Sequence, residues 1–211
     1  MRASFNQLRS HLGAFLDIVL PPRPSERLVR TLTLEDLQAI RPTALGALPY
    51  HDPLVRALVW EIKYHANSHA LALCGELLAE RILEIAGETL GKPLLVPVPM
   101  HKKRRKERGH NQTELLCKAA LRANPLLPVE YAPTLLVRTV HTTPQQGQPE
   151  HTRRHNVQHS MSGTSTTLAH ARVCIVLDDV TTTGATLREA SRTLTELGAR
   201  EIITLTLAHA E

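Results

Sequence analysis

The sequence predicts an α/β fold, in which helices cover both faces of a doubly wound, mainly parallel sheet, with a short helical segment at the N-terminus. Three observations support this prediction. Residues 173–177 form an unbroken apolar run, typical of a parallel strand buried on both faces. Asp178 and Asp179 end the run, at the position where open α/β sheets bind ligands. A threonine-rich loop and an amphipathic helix follow.

Length and composition limit the possible classes of protein. The 211 residues suffice for one domain with a substantial core, and we assign residues 1–48 to the N-terminal segment and residues 49–211 to the main domain. A net charge of +5 permits nucleic acid or a polyanionic small molecule as ligand. Because no apolar run approaches the roughly 20 residues of a membrane span and no signal peptide is recognisable, we expect a cytoplasmic protein without a membrane span.

The three cysteines, Cys74, Cys117 and Cys174, are far apart, and each lies in an apolar context. Such cysteines are typical of buried thiols in a reducing compartment, and not of a disulfide framework or a metal site. A zinc site would need C-x-x-C pairs, and the sequence has none.

Helical spacing of apolar residues predicts the helices of the N-terminal half. A first helix is expected before the prolines at residue 21 and a capped helical turn after Thr33, but we assign no chemistry to either. Two helices are predicted between residues 50 and 87, and Pro53 suits the first turn of the first of them. Lys63 lies near their junction, where it is either solvated or within reach of a phosphate.

A short strand near residues 94–98 ends in prolines, and a strongly basic loop at residues 100–112 is expected after it. Six cations lie within the seven positions 102–108, which requires an anionic partner or full solvation. Gly109 lies close to the start of the next helix and suits an anion-binding turn. An anion site and a solvated basic loop are both compatible with this pattern.

Residues 135–138 predict a further strand, and a long polar segment at residues 139–159 follows. A loop of this length is usually functional or disordered, and this one precedes the strand that ends in the acidic pair. We expect it to close over the crevice and exclude water, with an ordinary surface loop as the alternative. After a helix capped by Gly198, residues 202–207 predict the final strand.

The residue types at the end of the acidic strand predict its chemistry. The loop at residues 181–186 offers hydroxyl groups, free backbone N–H groups and the positive end of a helix dipole, all of which favour a phosphate. Asp178 and Asp179 repel a phosphate and suit hydroxyl groups or a divalent cation. Phosphoribosyl pyrophosphate combines a phosphate, a diol and a metal-bound pyrophosphate. No dinucleotide motif or P-loop is present, and the alternative is an acidic pair that only caps a helix or solvates the strand end.

These motifs together resemble the ComF family, competence-protein relatives of the type I phosphoribosyltransferases. The resemblance covers residues 49–208 and depends on the order and spacing of several short motifs. They are Val96-Pro97-Val98-Pro99-Met100-His101, Arg105, Glu107-Arg108-Gly109, Asn111-Gln112, Glu114-Leu115-Leu116, Arg138, Thr143-Pro144-Gln145, Arg153, Asn156, and the segment from Asp178 to Thr186. The resemblance implies a doubly wound sheet of the type I phosphoribosyltransferase kind.

The resemblance also implies a role for each part of the site. The ribose hydroxyl groups would bind Asp178 and Asp179, and the 5′-phosphate would lie against Thr181, Thr182, Thr183, Gly184, Ala185 and Thr186. The pyrophosphate loop would comprise His101, Arg105, Arg108 and Gly109, with Mg²⁺ as the cofactor. A flexible hood loop would comprise Gln145, Arg153 and Asn156, and the catalytic residues would be Arg108 and Arg153.

Two functions are compatible with such a site, and the first is a phosphoribosyltransferase of nucleotide metabolism that acts on an unidentified base. The second is a ligand-binding protein that handles single-stranded DNA during uptake or use of external DNA, with DNA phosphates along Lys102, Lys103, Arg104 and Lys106. A glutamine-dependent amidophosphoribosyl enzyme is disfavoured because no cysteine precedes Cys74. We favour a phosphoribosyl-pyrophosphate-binding protein of DNA uptake, and leave open the acceptor base, enzymatic turnover, the DNA-uptake partners and the oligomeric state.

Two departures from the family pattern affect these expectations. The family usually begins with a four-cysteine zinc module, whereas here Leu16-Asp17 and Pro21-Pro22 match its first part without any cysteine, so we predict no structural zinc. His110 and Met161 occupy positions where the family tends to have aromatic residues. Any DNA contact in which those aromatics stack on bases is therefore weakened.

Overall fold

The computed structural model describes residues 23–139 and 159–210 of the chain. Its helices are α1 (Pro24–Arg30), α2 (Leu34–Gln38), α3 (Pro53–His65), α4 (Ser68–Glu88), α5 (Lys102–Arg108), α6 (Gln112–Ala123), α7 (Thr166–Ala169) and α8 (Ala185–Glu196). Its strands are β1 (Leu48–Pro49), β2 (Leu94–Pro97), β3 (Glu130–Tyr131), β4 (Leu136–Arg138), β5 (Met161–Gly163), β6 (Val173–Thr181) and β7 (Glu201–His209).

Five parallel strands form the main sheet, in the order β1-β7-β6-β2-β3. Strands β6 and β7 are the longest, and they pair from Val173 opposite Glu201 to Thr181 opposite His209. Strands β4 and β5 form a separate antiparallel pair, which the sequence did not indicate. The predicted α/β fold with a mainly parallel sheet is confirmed.

Helices cover both faces of the main sheet and produce two hydrophobic cores. Because successive side chains of a strand point to opposite faces, Ile175 belongs to one core while Cys174 and Val176 belong to the other. Helices α1 to α4 and α6 contribute to the first core, and α7, α8 and the β4–β5 pair contribute to the second. The sheet is therefore doubly wound, and all three cysteines are buried and free, as predicted.

The chain connections leave the centre of the sheet in opposite directions. From β2 the chain passes through α5 and α6 to the edge strand β3, whereas from β6 it passes through α8 to β7, toward the other edge. Such a change of direction between neighbouring parallel strands opens a crevice at their carboxyl ends. Pro97 of β2 is paired with Leu177 of β6, so the crevice opens next to Asp178 and Asp179.

Most of the predicted helices and strands are confirmed. The structure contains the two helices between residues 50 and 87, the strand near residue 136 and the final strand. Helix α8 follows Gly184 and is closed by a left-handed Gly198 with φ of +82°, as its sequence predicted. The predicted first helix and the polar segment at residues 140–158 lie outside the described residues.

The prediction of a loop throughout residues 100–112 is wrong, because α5 occupies its middle. Lysine, arginine and glutamate are good helix formers, and they compose the whole of this helix. His101 caps the helix, since its Nδ1 accepts a hydrogen bond from the N–H of Lys103 at 3.2 Å. Gly109, in the left-handed conformation with φ of +80°, ends α5, and Asn111 caps α6.

The N-terminal helices α1 and α2 pack onto α3 and α4 through buried Val29 and Leu37. Arg23 and Ser25 donate hydrogen bonds to the buried carboxylate of Glu61 on α3, at 2.9 and 2.7 Å. Burial alone raises the pKa of Glu61, but these hydrogen bonds outweigh it and the net pKa is lowered. The division of the chain at residue 48 stays a prediction.

Two further predictions bear on the N-terminal region and on membranes. The positions where the resemblance would place the zinc module, including Leu16 and Pro22, lie outside the described residues. Within residues 23–139 and 159–210, no helix is both long enough and apolar enough to cross a membrane.

Candidate functional site

A polar cleft of about 200 Å³ opens at the carboxyl ends of β2 and β6. Three segments line it: the turn after β2 with the start of α5 and α6, the acidic end of β6 with the start of α8, and single side chains from α3 and β4. The lining residues are Lys63, Val98, Pro99, Met100, His101, Arg104, Arg108, Asn111, Gln112, Thr113, Arg138, Asp178, Asp179, Val180 and Thr186.

The acidic pair lies at the base of the cleft and is nearly inaccessible to solvent, since Asp178 is 7% and Asp179 6% exposed. Strand β6 continues through both residues, and it pairs with β7 at Asp178, opposite Thr206, and again at Val180, opposite Ala208. The Asp179 N–H donates a hydrogen bond to Oδ1 of Asp178 at 2.9 Å. Burial raises the pKa of Asp178 well above its ordinary value, and the negative charge of Asp179 raises it further.

Lys63 extends from the end of α3 into the cleft, where its Nζ lies 3.1 Å from Oδ2 of Asp179. This contact is an ion pair without hydrogen-bond geometry, so the same Asp179 oxygen remains without a hydrogen-bond donor. The sequence left Lys63 undecided between a solvated lysine and a ligand-binding one. The structure places it in the cleft, with its ammonium group next to a buried carboxylate.

Unsatisfied polar atoms converge on this cleft. Within the described part of the chain, eight buried side-chain nitrogen or oxygen atoms have no hydrogen-bond partner. Three of the eight belong to cleft residues: Asp179 Oδ2, Gln112 Oε1 and Arg138 Nε. Buried polar atoms in folded proteins are nearly always satisfied, so such a concentration indicates a place prepared for a ligand.

The basic helix α5 turns only some of its cations toward the cleft. Arg104 and Arg108 are half-buried and line it, whereas Lys102, Lys103 and Lys106 are exposed. Arg105 lies outside the cleft, because its guanidinium binds both carboxylate oxygens of Glu114 at 2.6 and 3.0 Å. Burial lowers the pKa of Arg104, and the neighbouring charge of Arg108 lowers it further, which reflects the crowding of positive charge.

Asn111 and Thr113 fix the turn that follows β2. The Asn111 amide and the Thr113 hydroxyl both donate to the carbonyl of Val98, at 3.2 and 2.7 Å, and the Thr113 hydroxyl also lies 2.9 Å from Oδ1 of Asn111. These bonds hold the start of α6 against the end of β2. Thr113 is not among the predicted site residues, although an Asn-x-Thr at a helix start is a detectable signal of such a turn.

The threonine-rich loop separates two cavities. Thr186, in the first turn of α8, lines the cleft, whereas residues 181–184 line a second cavity of about 320 Å³. Gly184 precedes α8 with φ of +70°, a conformation that favours glycine. Arg188 donates a hydrogen bond to the carbonyl of Thr183 at 2.6 Å and thereby braces the loop.

The structure thus brings together part of the predicted site. Asp178, Asp179, Thr186, His101 and Arg108 line one cleft, together with Arg104, which the sequence assigned to DNA. Arg105, Gly109 and residues 181–184 do not line it. The hood-loop residues Gln145, Arg153 and Asn156 lie outside the described residues, so their roles, like those of the other predicted site residues, stay predictions.

The acidic pair fits a cation only in combination with a ligand. Among the described residues, no group of three or more His, Cys, Asp or Glu side chains could hold a metal ion. Asp178 and Asp179 offer carboxylate oxygens, and Oδ2 of Asp179 has no hydrogen-bond donor. Mg²⁺ prefers six oxygen ligands and usually keeps waters or substrate phosphates among them. The residues therefore suit Mg²⁺ that arrives with a phosphorylated substrate.

Two curated proteins show what this chain is similar to. Competence protein F of Haemophilus influenzae is 36% identical over 118 residues, which cover 55% of this chain and 50% of that protein. The chain is similar to competence protein F over about half the length of each protein. DNA utilization protein YhgH of Escherichia coli K12 is 28% identical over 153 residues, which cover 71% of this chain and 65% of that protein. The predicted resemblance to the ComF family is confirmed, although the match spans only part of each relative.

No protein-family profile matches the chain. Among solved structures, a hypoxanthine phosphoribosyltransferase of Trypanosoma cruzi superimposes with a TM-score of 0.43 at 14% identity, over 66% of this chain and 64% of that one. An allosteric regulatory enzyme of purine biosynthesis gives a TM-score of 0.41 at 14% identity, over 71% of this chain and 30% of that one. Similarity at this level carries no functional argument.

Proposed function

We propose that the cleft binds phosphoribosyl pyrophosphate together with Mg²⁺, and that the chain acts in the use of external DNA in the cytoplasm. The observation that best supports this ligand is a buried acidic pair in the same cleft as two half-buried arginines, with one acidic oxygen that has an ion-pair partner but no hydrogen-bond donor. Competence protein F and the DNA utilization protein support the biological role by their names. Three buried free thiols fit a reducing compartment.

Each part of the ligand has a counterpart in the cleft. The ribose hydroxyl groups would donate hydrogen bonds to the carboxylates of Asp178 and Asp179. The 5′-phosphate would bind the hydroxyl group of Thr186 and the free N–H groups at the start of α8. The pyrophosphate would lie against Arg104 and Arg108, which are charged donors suited to phosphate oxygens.

Mg²⁺ would be held by the acidic pair and by pyrophosphate oxygens. When bound, it neutralises charge on the pyrophosphate. Lys63 would keep the remaining negative charge of Asp179 balanced, since its ammonium group lies 3.1 Å from that carboxylate. The cleft would thus supply negative charge for Mg²⁺ and positive charge for the pyrophosphate.

The same arrangement supports phosphoribosyl transfer as the activity of the cleft. Transfer breaks the bond between ribose C1′ and the pyrophosphate oxygen and forms a bond from C1′ to a base nitrogen, which loses its proton. Negative charge grows on the departing pyrophosphate, where Arg104 and Arg108 would stabilise it. Arg153 would join them if the hood loop closes. Positioning and charge stabilisation, and no covalent intermediate, would account for the rate.

The DNA-related role would involve the exposed face of α5. Lys102, Lys103 and Lys106 are exposed on this helix and suit the phosphates of a single strand. The alternative, a salvage phosphoribosyltransferase, is less favoured because the similar curated proteins bear names from competence and DNA utilization. Protein partners in DNA uptake would belong to the same proposal.

Calorimetric titration of phosphoribosyl pyrophosphate with Mg²⁺ tests the ligand. We expect saturable binding to the wild type and at least about a 100-fold weaker affinity for Asp178→Asn/Asp179→Asn, since two charged hydrogen-bond acceptors are removed. The matched control is Glu76→Gln/Glu88→Gln, which removes two exposed carboxylates of α4 and should bind like the wild type. No heat of binding with folded wild-type protein would contradict the proposal.

Binding of labelled oligo-dT at several salt concentrations tests the DNA role. Lys102→Glu/Lys103→Glu should weaken binding and lower the slope of log K against log salt by about 0.7 for each DNA phosphate that the variant no longer neutralises. Lys92→Glu/Arg122→Glu changes the net charge equally, at exposed positions away from α5 and the cleft, and should keep the wild-type slope. Equal binding by the wild type and the α5 variant would exclude a DNA track along this helix.

A further inference from the structure

Two large aromatic side chains are exposed on α3. Trp60 and Tyr64 are 51% and 46% exposed and lie one helical turn apart, with ring centroids 4.3 Å apart and ring planes inclined by 43°. Trp60 is the single tryptophan of a chain in which only 3% of residues are aromatic. The buried face of α3 consists of smaller apolar side chains such as Val55, Leu58 and Ile62, so this pair contributes little to the core.

Helix α5 is held directly against this aromatic pair. The guanidinium of Arg108 lies 5.0 Å from the ring centre of Tyr64, a distance typical of a cation–π contact. The His110 ring, just after α5, forms a hydrogen bond of 3.1 Å with the backbone carbonyl of Ile62. The end of α3 and the end of α5 are therefore fixed relative to each other.

The aromatic pair also borders the cleft. Lys63, next to Tyr64 in the chain, reaches Asp179 inside the cleft. Arg104 lines the cleft and lies within the electrostatic influence of Asp179. A continuous surface thus runs from the acidic pair, over two arginines, to two exposed rings.

We propose that Trp60 and Tyr64 form a stacking platform for the bases of single-stranded DNA whose phosphates lie along the cations of α5. Charge complementarity identifies this occupant, because the platform contacts Arg108 of α5, a helix that carries six cations at residues 102–108. Single-stranded nucleic acid combines flat bases with a phosphate every few ångströms, and proteins bind it with aromatic side chains beside a basic groove. The inference rests on the DNA part of the proposed function and adds a base-contact site to it.

The platform would compensate for the base-stacking contacts that the sequence predicts to be weakened. His110 and Met161 stand where the family tends to have aromatic residues, and in this structure Met161 is buried in β5 while His110 binds the backbone of α3. Within the described residues, neither the His110 ring nor the Met161 thioether forms a flat exposed surface. Trp60 and Tyr64 provide that surface instead, on a rigid helix.

The single tryptophan makes a direct experiment possible. Titration of the wild type with unlabelled oligo-dT should quench the fluorescence of Trp60 in a saturable manner, because a base stacks on its indole. An oligonucleotide of the same length with abasic sites should bind more weakly and quench less. Quenching of equal size by inorganic polyphosphate would overturn the platform, since that polymer has charge but no bases.

Variants separate stacking from charge. Trp60→Ala and Tyr64→Ala should each weaken binding of labelled oligo-dT by about 5- to 100-fold, whereas Tyr64→Phe keeps the ring and should stay close to the wild type. Leu83→Ala, which truncates an exposed apolar side chain on α4, is the matched control and should have no effect. After Trp60→Ala, binding should also lose its preference for normal over abasic DNA.

The outcomes distinguish the platform from the function on which it rests. If the wild type binds no single-stranded DNA, the DNA part of the proposed function fails and the platform fails with it. If Lys102→Glu/Lys103→Glu weakens binding but both alanine variants bind like the wild type, the DNA role stands and the platform is wrong. If free nucleobases with phosphoribosyl pyrophosphate quench Trp60 and DNA does not, the rings contact an acceptor base, and the DNA platform is also wrong.

Discussion

Asp178 is a residue at which ligand binding and stability oppose each other. Its carboxyl group is buried, and burial together with the charge of Asp179 raises its pKa well above the ordinary value. An ionised carboxylate at this position therefore destabilises the folded chain at neutral pH. We infer that ligand binding, and not the stability of the empty fold, explains a carboxylate here.

We predict that Asp178→Asn raises the midpoint of thermal unfolding at pH 7 while it abolishes binding of phosphoribosyl pyrophosphate. The folded-state pKa of Asp178 lies above its ordinary value of 3.8, so its contribution to stability is fully present below that value. The contribution is lost as the pH rises through the folded-state pKa. The advantage of the variant should thus grow from acidic to neutral pH, by roughly 2–4 °C for each kcal/mol.

Thermal unfolding between pH 3.5 and 8, followed by circular dichroism, measures this effect. Lys63 and Arg138 carry positive charge near Asp178, and this charge partly opposes the effect of burial on the pKa of Asp178. Both residues are therefore left unchanged in the variants. Glu201→Gln removes an exposed carboxylate at the start of β7 and should give no pH-dependent change. A lower midpoint for Asp178→Asn at pH 7 would show that these cations stabilise the carboxylate more than burial opposes it.

The sequence predicted the acidic pair better than it predicted the arginines. An apolar run followed by two carboxylates requires only strand periodicity to interpret, and the pair lies near the carboxyl end of β6, two residues before its last residue. To predict which cations of residues 102–108 face the cleft, one needs their angular positions around a helix axis. The prediction of a loop contains no such angles, so it does not distinguish Arg104, which lines the cleft, from Arg105, which binds Glu114.

Helix α4 contains two glycines whose surroundings differ sharply. A Cβ atom at Gly75 would lie 2.7 Å from the backbone carbon of Ala119 and 2.8 Å from its oxygen, because α4 packs closely on α6 there. A Cβ atom at Gly87 would meet nothing within 4 Å. Replacement of Gly75 by alanine therefore tests close packing, whereas the same replacement at Gly87 tests helix propensity alone.

We predict that Gly75→Ala destabilises the fold by about 1–3 kcal/mol, since backbone atoms of α6 must move to admit the methyl group. Gly87→Ala, the matched control, should stabilise it by up to about 1 kcal/mol, because alanine loses less backbone entropy in a helix. Urea unfolding of both variants measures the two free energies. Equal stability of the two variants would mean that α4 and α6 can separate without cost.

Elements with strong periodicity were predictable, and pairings between distant segments were not. Strands β6 and β7 and helices α3, α4 and α8 have the apolar spacing of their class. The antiparallel pair of β4 and β5 joins residues on both sides of the polar segment, and no local pattern specifies that pairing. Strand β6 also extends past the apolar run to Thr181, because it pairs with β7 at Asp178 and again at Val180 and Thr181.

At the scale of the whole molecule, the doubly wound sheet determines where charge accumulates. The opposite directions of the connections after β2 and β6 bring the basic helix α5 and the acidic end of β6 to one edge of the sheet. The end of α3 reaches the same edge, where Lys63 contacts Asp179 and Tyr64 contacts Arg108. The proposed nucleotide cleft and the α5 cations proposed to bind DNA phosphates consequently share Arg104 and Arg108.

Shared arginines predict that the two ligands compete. Phosphoribosyl pyrophosphate would occupy Arg104 and Arg108 with its pyrophosphate, and these cations would then attract DNA phosphates less strongly. We expect saturating phosphoribosyl pyrophosphate with Mg²⁺ to weaken binding of oligo-dT by about 5- to 20-fold, within the range of ordinary coupling between sites. Thermodynamic linkage requires oligo-dT to weaken binding of phosphoribosyl pyrophosphate by the same factor.

Fluorescence anisotropy of labelled oligo-dT and calorimetry of phosphoribosyl pyrophosphate, each with and without the other ligand, measure the two factors. Mg²⁺ and total salt must be equal in all titrations, because DNA affinity falls steeply with ionic strength. Asp178→Asn/Asp179→Asn provides the control: it should bind oligo-dT and show no response to phosphoribosyl pyrophosphate. Independent binding of the two ligands to the wild type would show that the arginines of α5 serve only one of them, and the cleft and the platform would then be separate sites.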